Sequence, residues 1–377
     1  MATRNNAGDP GRDLSREIEP VSLLIGGRVH DQWTRYSVDS DMLRPAAAWN
    51  VHLGLPNGEL PADVKAGARV QVRVGADVVM TGLIDTVEDD VGGNTATLAM
   101  SGRDGAAVLV DCSAPIFGAR QMSLAQIVKS IVNPLGISRV RVDPRGKGVW
   151  EKVGIEPGDT AWDALARAAQ ANGLWPWFAP DGTLIVGGPD YDAAPVASLI
   201  LRRAGQGNNI SRLRRTVSIA RRYSEITLLG QAHGTDDADG RHAMRTVVRD
   251  PAVGVYRPKI IVAGDAVSGA SLSQRAHKEL ADGRLDGLTY QAEVRGHRTS
   301  GGLLWTPGQR VHLEDERRGF SGILFIMARQ FRGGSRTPTT TTLTLKEDGV
   351  WIPAVVSPKK RALQTRAFSP QELGTRP

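Results

Sequence analysis

The chain has 377 residues, too many for one ordinary domain and enough for about two to four, and its 41% hydrophobic content is sufficient for packed cores. Aromatic residues are scarce at 5%, whereas Gly (43) and Pro (21) are plentiful, a balance that favours short strands and turns over long helices. The formal net charge of +7 offers a basic surface to acidic partners, yet the interleaved aromatics of a base-stacking surface are missing, and the single cysteine, Cys112, excludes an intrachain disulfide framework and a Cys-based zinc site.

Residues 1–20 form a polar arm of both charges without an apolar core, so neither a signal peptide nor a membrane anchor is expected there. No apolar run approaches the roughly 18 residues of a membrane span, and folding in a reducing cytoplasm is expected. From Val21 to Asp111 the pattern is antiparallel β. Val21-Ser-Leu-Leu-Ile precedes a Gly26-Gly27 turn, a strand lies around Trp33 to Val38, and Trp49-Asn-Val-His-Leu alternates apolar with polar. A Pro56-Asn57-Gly58 turn follows, then strictly alternating Val70-Gln-Val-Arg-Val, a tight turn at Gly75-Ala76-Asp77, and strands from Val78 and Thr95. Strands at such short spacing predict a small closed barrel or sandwich.

Residues 112–198 change period. Leu124, Ile127, Val128 and Ile131 have helical spacing behind Ser123 as N-cap, and Pro134 with Gly136 ends that helix. A second helix is predicted over Thr160 to Asn172, capped by Asp159 or Thr160, with Trp162 and Leu165 buried and Gly173 at its C-terminus. Trp175-Pro-Trp-Phe and Thr183-Leu-Ile-Val about Pro180-Asp181-Gly182 predict a β-hairpin. Residues 199–349 return to strands: Arg214 to Leu229, Arg241 to Arg249, Arg257 to Ala263, Leu288 to Gly296, Gln309 to Glu314, Ile323 to Phe331 and Thr340 to Leu345, with one helix over Ser271 to Arg284. No clear sequence repeat links the two β segments, and only their composition suggests duplication. Residues 350–377, with Lys359-Lys360-Arg361 among prolines, predict an extended or flexible tail.

Chemistry-bearing patterns are sparse. The seven histidines (His30, His52, His233, His242, His277, His297 and His312) include no metal-binding spacing, and His312 is expected to face solvent. Nucleophile elbows, phosphate loops and dinucleotide fingerprints are missing from the sequence, and the paired glycines flank strands as turns. Asp89-Asp90, Asp236-Asp237 with Asp239, and Glu314-Asp315-Glu316 read as solvated strand ends and loops. Cys112 reads as a buried small hydrophobe. No residue pattern marks a catalytic, cofactor-binding or metal-binding site. Arg202, Arg203, Arg212, Arg214, Arg215, Arg221 and Arg222 form a basic run with no acidic residue from 200 to 222; a solvated face, a subunit interface and DNA backbone contact are its readings.

Gly158-Asp-Thr-Ala-Trp162-Asp resembles the opening of LysM peptidoglycan-binding modules, and also the α/β insert of phage hub proteins, where it is scaffold. Several further motifs share the hub order: Val21-Ser-Leu with Ile25, Gly27 and Trp33; Gly82-Leu-Ile-Asp85; Ser101-Gly-Arg-Asp104 with Leu109-Val-Asp111-Cys-Ser; Leu124-Ala-Gln-Ile; Gly173-Leu-Trp; and Asp181-Gly. Over residues 20 to 350 the chain resembles the Mu-like phage baseplate hub proteins of the late-control D family, and is similar to the T-even phage hub and to the base of type VI secretion spikes.

That resemblance implies a predominantly β, α+β fold: two antiparallel β-barrel domains (21–111 and 199–349) separated by a small α/β insert (112–198), with arms at 1–20 and 350–377. It implies a non-enzymatic homotrimer in a contractile tail, whose barrels alternate in a pseudo-sixfold ring between the tail tube, or a tube-initiator protein, and the central spike. Wedge proteins are the other implied partners, DNA passes through the lumen, and no cofactor is implied. A peptidoglycan-binding module acting through Asp159 to Asn172, a tail-associated hydrolase and a nucleic-acid-binding barrel are the rival readings.

Overall fold

The computed structural model describes residues 19, 21–54, 62–93, 95–115, 122–144, 149–150, 158–232, 241–263, 269–335 and 337–351. Most of the N-terminal arm, the Pro56-Asn57-Gly58 turn, Asp236 to Asp239, His233 and the tail from residue 352 therefore lie outside the described residues.

The first segment holds β1 (Val21–Ile25), β2 (Arg28–His30), β3 (Arg35–Asp41), β4 (Ala48–Gly54), β5 (Arg69–Val74), β6 (Asp77–Val91) and β7 (Ala96–Asp104). Next come α1 (Ala106–Asp111), β8 (Met122–Ser123), α2 (Leu124–Val132), β9 (Val140–Val142), β10 (Val149–Trp150), α3 (Ala161–Gln170), β11 (Trp175–Phe178) and β12 (Leu184–Gly187). The last stretch comprises β13 (Ala197–Leu201), β14 (Ile210–Val217), β15 (Glu225–Ala232), β16 (Arg241–Arg249), β17 (Pro258–Ala263) and α4 (Gly269–Gly287), then β18 (Leu288–Arg295), β19 (Arg310–Asp315), β20 (Phe320–Gly334) and β21 (Thr337–Glu347). The fold is predominantly β. Among the described residues no helix is long and apolar enough to cross a membrane.

The predicted caps form as chemistry dictates. Ser123 accepts from the Gln126 amide while the Gln126 side chain accepts from the Ser123 amide, a reciprocal capping box that starts α2. Thr160 Oγ1 accepts from the Asp163 amide at 3.1 Å and starts α3, whose Trp162 and Leu165 are buried, and Gly173 leaves the helix at φ +77°.

The two β segments are not independent sheets. Strands from both segments join in one 13-stranded sheet, ordered β14-β18-β21-β20-β3-β4-β7-β6-β5-β1-β2, with β19 beside β20 and β13 beside β19. No ladder closes on itself among the described strands. The join is antiparallel pairing of β20 with β3, Ala328–Gly333 against Tyr36–Asp41. Nor is the pairing wholly antiparallel: β12 with β9, β13 with β19 and β15 with β17 run parallel.

Within this sheet the order β3-β4-β7-β6-β5 repeats as β14-β18-β21-β20-β19, antiparallel throughout. Both copies carry a bulge at the matching point, between Ile84 and Thr86 in one and between Ile326 and Ala328 in the other. Both also have a glycine amide donating to the isoleucine before the bulge, Gly67 to Ile84 and Gly308 to Ile326, each at 2.8 Å. Trp49 and Tyr290 occupy equivalent buried positions on β4 and β18. The sixth strands differ, β1 being antiparallel to β5 and β13 parallel to β19. Side chains span each remaining gap: Trp33 Nε1 donates to Val21 O at 2.8 Å, and Asn209 Nδ2 to Ser198 O at 2.7 Å.

One hydrophobic core serves both copies, joining Trp49, Val51, Leu98 and Met100 to Tyr290, Ile326, Phe331 and Leu343. A second core packs α1, α2 and α3 against β9, β11 and β12, with Leu109, Ile127, Leu165 and Val186 at its centre. A third packs α4 on the small sheet β16-β15-β17 through Leu272, Ala276, Ile226 and Leu228. The predicted strand Arg214 to Leu229 is two strands, because the chain turns at Ser218, whose amide donates to Gly287 O at 2.9 Å, and passes from the large sheet into the small one. Cys112 is half-buried where its helix ends, its amide donating to Val108 O at 3.1 Å. Val350 and Trp351, expected in the tail, are buried against Met42, Phe325 and Met327.

Candidate functional site: the motif clamp and the polar face of the sheet

The motif residues of the sequence converge on one clamp. Arg103, on β7, reaches Asp85 on β6 (Nε to Oδ2, 2.6 Å) and Asp111 at the end of α1 (Nη2 to Oδ2, 2.6 Å). Its guanidinium is bidentate to both carboxylates, which raises its own pKa and holds the Asp111 carboxyl below the usual carboxylate range. Asp104 Oδ1 accepts at 2.9 Å from the amide of Ala106, the first residue of α1. Glycines make the approach possible: a Cβ on Gly82 would stand 1.9 Å from Arg103 O, and one on Gly102 would stand 2.1 Å from Leu83 O and 2.7 Å from the Trp49 ring. The Gly-x-Ile-Asp, Gly-Arg-Asp and Val-Asp pattern is therefore a structural bracket between sheet and α/β unit. Replacing Arg103 with alanine should cost about 1–2 kcal/mol, since Asp85 and Asp111 would face one another uncompensated at a partly solvated site. Urea titrations should show the deficit shrinking in high salt, with Arg103→Lys recovering part of it.

The candidate chemical groups are dispersed. His30 approaches Asp63 at 3.4 Å, His52 lies 3.1 Å from an Arg35 nitrogen, and His277 Nδ1 lies 2.8 Å from Ser273 O on α4. His297 is buried 2.8 Å from Tyr36 Oη and stacked on Phe331, and burial pushes its pKa down to about 3, so it is neutral. His312, expected in solvent, is half-buried beside Ser321 Oγ at 3.2 Å. His242 falls on β16. Among the described residues no group of three His, Cys, Asp or Glu side chains could hold a metal ion. Asp41 and Asp104 line a cavity of about 220 Å³ with Trp177 and Trp305, but both work locally: Asp41 Oδ1 accepts from the Leu43 amide and Asp104 Oδ1 from the Ala106 amide.

In the segment resembling LysM, Asp159 pairs with Arg167 at 2.9 Å and Trp162 is buried edge-on to Trp175, so its ring serves the core. The arginine run divides. Arg202 pairs with Glu314 (3.0 Å), the Arg203 amide donates to Glu316 (2.9 Å), Arg221 pairs with Asp286 (3.1 Å) and Arg222 with Asp250 (2.6 Å). Arg215 lies over the Tyr290 ring at 6.0 Å, while Arg212 and Arg214 stand exposed on β14.

What the sheet does present is a continuous polar face. In register across the ladders, Glu293, Thr342, Gln330 and Asp39 form one row, and Ser37, Asn50, Ser101 and Thr86 another. The intervening residues (Ala292, Leu343, Phe331, Val38, Val51 and Met100) point into the shared core. Alternation thus gives one buried face and one of hydroxyls, amides and charges, with no aromatic ring in those two rows.

Comparison with known proteins agrees along the length of the chain. Residues 20–104 match the N-terminal domain of Mu phage baseplate assembly protein GpP-like proteins, and residues 106–188 the second domain of baseplate hub protein gp44-like proteins. Residues 222–280 and 282–350 match the third and C-terminal domains of NMB1110-like tail proteins. The tail protein of Neisseria meningitidis MC58 is 38% identical, with 89% of this chain and 98% of that one aligned at a TM-score of 0.79. The chain belongs to the Mu-like family of phage baseplate hub and tail proteins. Baseplate hub protein gp44 of Escherichia phage Mu is 26% identical over 305 residues, 78% of each chain. The 43 kDa tail protein of prophage MuSo2 from Shewanella oneidensis, 24% identical, has the same fold at a TM-score of 0.78 over 88% of this chain and 99% of that one. As a member of this baseplate family the chain is a structural component of the phage tail and so of the virion.

Proposed function

We propose that this hub-family chain forms a homotrimeric ring that joins the tail tube to the central spike of a contractile tail and lines the path of the DNA. The observation that carries this reading is the repeat of one five-strand unit within a single sheet. Three copies of a chain built this way present six similar units, which fits a sixfold tube on one side and a threefold spike on the other. Each unit with its sixth strand makes a barrel-like lobe whose gap is bridged by Trp33 or Asn209, two lobes per chain. A wall of Thr, Ser, Asn and Gln suits a lumen, because those two rows carry no ring on which bases could stack. The work is interface burial, with no catalytic step. Wedge proteins are the further partners of the ring, and assembly takes place in the host cytoplasm.

Light scattering of the purified protein should give three times the mass of the chain, and negative-stain electron microscopy a ring with a central hole and a threefold or sixfold outline. A monomer at high concentration would sink this reading.

A further inference from the structure

The two five-strand units differ at one place. In the C-terminal unit the first part of β20, Phe320–Phe325, pairs with β19, and its second part, Ala328–Gly333, pairs with β3 of the other unit. In the N-terminal unit the first part of β6, Asp77–Leu83, pairs with β5 in the same way. Its second part, Thr86–Val91, pairs with β7 and has no strand on its outer side among the described residues. The β14 strand, counterpart of β3, is also laddered on one side only, to β18. Each chain thus makes one joint internally and leaves open the two halves of a second. Open edges of this length are templates for strand addition.

We infer that β14 of one copy adds antiparallel to the Thr86–Val91 edge of β6 in the next copy, reproducing the internal β20–β3 joint between chains. The occupant of each edge is therefore a second copy of this chain, and the contact is head-to-tail, so it closes as a ring. This rests on the ring reading above and specifies its seam.

The internal joint supplies the register. It sets Arg329 opposite Ser40, Gln330 opposite Asp39, Phe331 opposite Val38, Arg332 opposite Ser37 and Gly333 opposite Tyr36. Aligned at the shared bulge and carried along the ladders, the two units make Ser37 equivalent to Arg214 and Gln330 equivalent to Glu88. The transposed joint then places Val87 opposite Val217, Glu88 opposite Thr216, Asp89 opposite Arg215, Asp90 opposite Arg214 and Val91 opposite Leu213. Two carboxylates meet two guanidinium groups, and the apolar residues meet one another, the combinations that stabilise cross-strand pairs.

Exposure supports the same seam. Val91 is 66% exposed and Val217 43%, and the joint would cover both. Glu88, Asp89 and Asp90 on β6, and Arg212 and Arg214 on β14, take part in no ion pair with a described residue. The faces also agree: Glu88 and Asp90 share the polar face with Arg212 and Arg214, so the hydroxyl-lined wall continues across the seam. At this seam Arg214, which makes no ion pair with a described residue of its own chain, meets Asp90 of the next copy.

The test uses the full chain in low salt. D89K/D90K should raise the concentration at which half the trimer dissociates by about tenfold or more, and R214E should do the same, because like charges would then face each other at every seam. Combining D90R with R214D in one chain should restore association. A Glu88→Cys, Thr216→Cys pair in a Cys112→Ser background should oxidise to covalent trimers, whereas Glu88→Cys with Arg212→Cys, out of register, should not. If the unmodified chain is trimeric but the charge reversals leave its mass unchanged and the in-register cysteines do not crosslink, the seam is elsewhere while the ring stands. A monomeric unmodified chain would remove both.

Discussion

Replacing Trp49 with alanine is expected to lower the unfolding free energy by about 3–5 kcal/mol, in one transition that takes both halves of the sheet. Trp49 is 1% exposed and sits in the core that also holds Tyr290, Phe331 and Leu343 of the C-terminal unit. Its ring lies over Gly102, the residue without a Cβ where β7 passes β6. Truncation would leave a cavity bounded by rigid ladders on several strands, which cannot collapse around it. Denaturant titration followed by circular dichroism should show a single shifted midpoint, with the melting temperature falling on the order of 10 °C. Two transitions, one unmoved, would mean that the halves fold as separate barrels. Trp49→Phe should cost far less, because the indole N–H has no hydrogen-bond partner among the described residues and its removal leaves nothing newly unpaired.

A second large effect should appear with pH. Asp104 is buried, and loss of hydration pushes its pKa from 3.8 up to about 7, against the opposing pull of hydrogen bonds from the backbone at Ala106 and Ala47 and of the Arg103 charge. The folded state therefore holds this proton more tightly than the unfolded chain does. Its contribution is fully present below about pH 4 and is lost progressively as pH rises to about 7, a few kcal/mol at most. Asp104→Asn keeps an oxygen for the Ala106 amide and removes the titration. The difference between unmodified and D104N unfolding free energies, measured from pH 4 to 8, should swing in favour of D104N as pH rises. A flat difference would show that Asp104 titrates normally.

Local structure was legible in the sequence because its causes are local. Ser123 with Gln126, Thr160 with Asp163, and Gly173 are capping chemistry within a few residues, and the helices they bound lie within a residue or two of expectation. The motif order of Gly82, Asp85, Arg103 and Asp111 was legible as a pattern, but that one guanidinium bridges two carboxylates needed the ladder that sets β6 beside β7. Arg212 and Arg214 could not be told from Arg202 or Arg222 by sequence, since all belong to one basic run. Their difference is whether an ion pair closes on them, as Glu314 does on Arg202 and Asp250 on Arg222.

The duplication was hidden for a physical reason. In the first unit β3 and β4 are joined directly, whereas in the second the whole third core, β15 to β17 and α4, is inserted between β14 and β18. Equivalent positions also share a role without sharing identity, as with Trp49 and Tyr290, or Gly102 and Leu345. By itself the sequence determined the β-rich class, the capped helices, the hairpin turns and membership of the hub family, all written in short-range patterns and motif order. Only the tertiary structure decided that β20 continues into β3 nearly three hundred residues away, and that β6 and β14 end as open edges. Strand pairing at such separation is chosen by the shared core and by backbone hydrogen bonding, neither of which leaves a local mark on the chain.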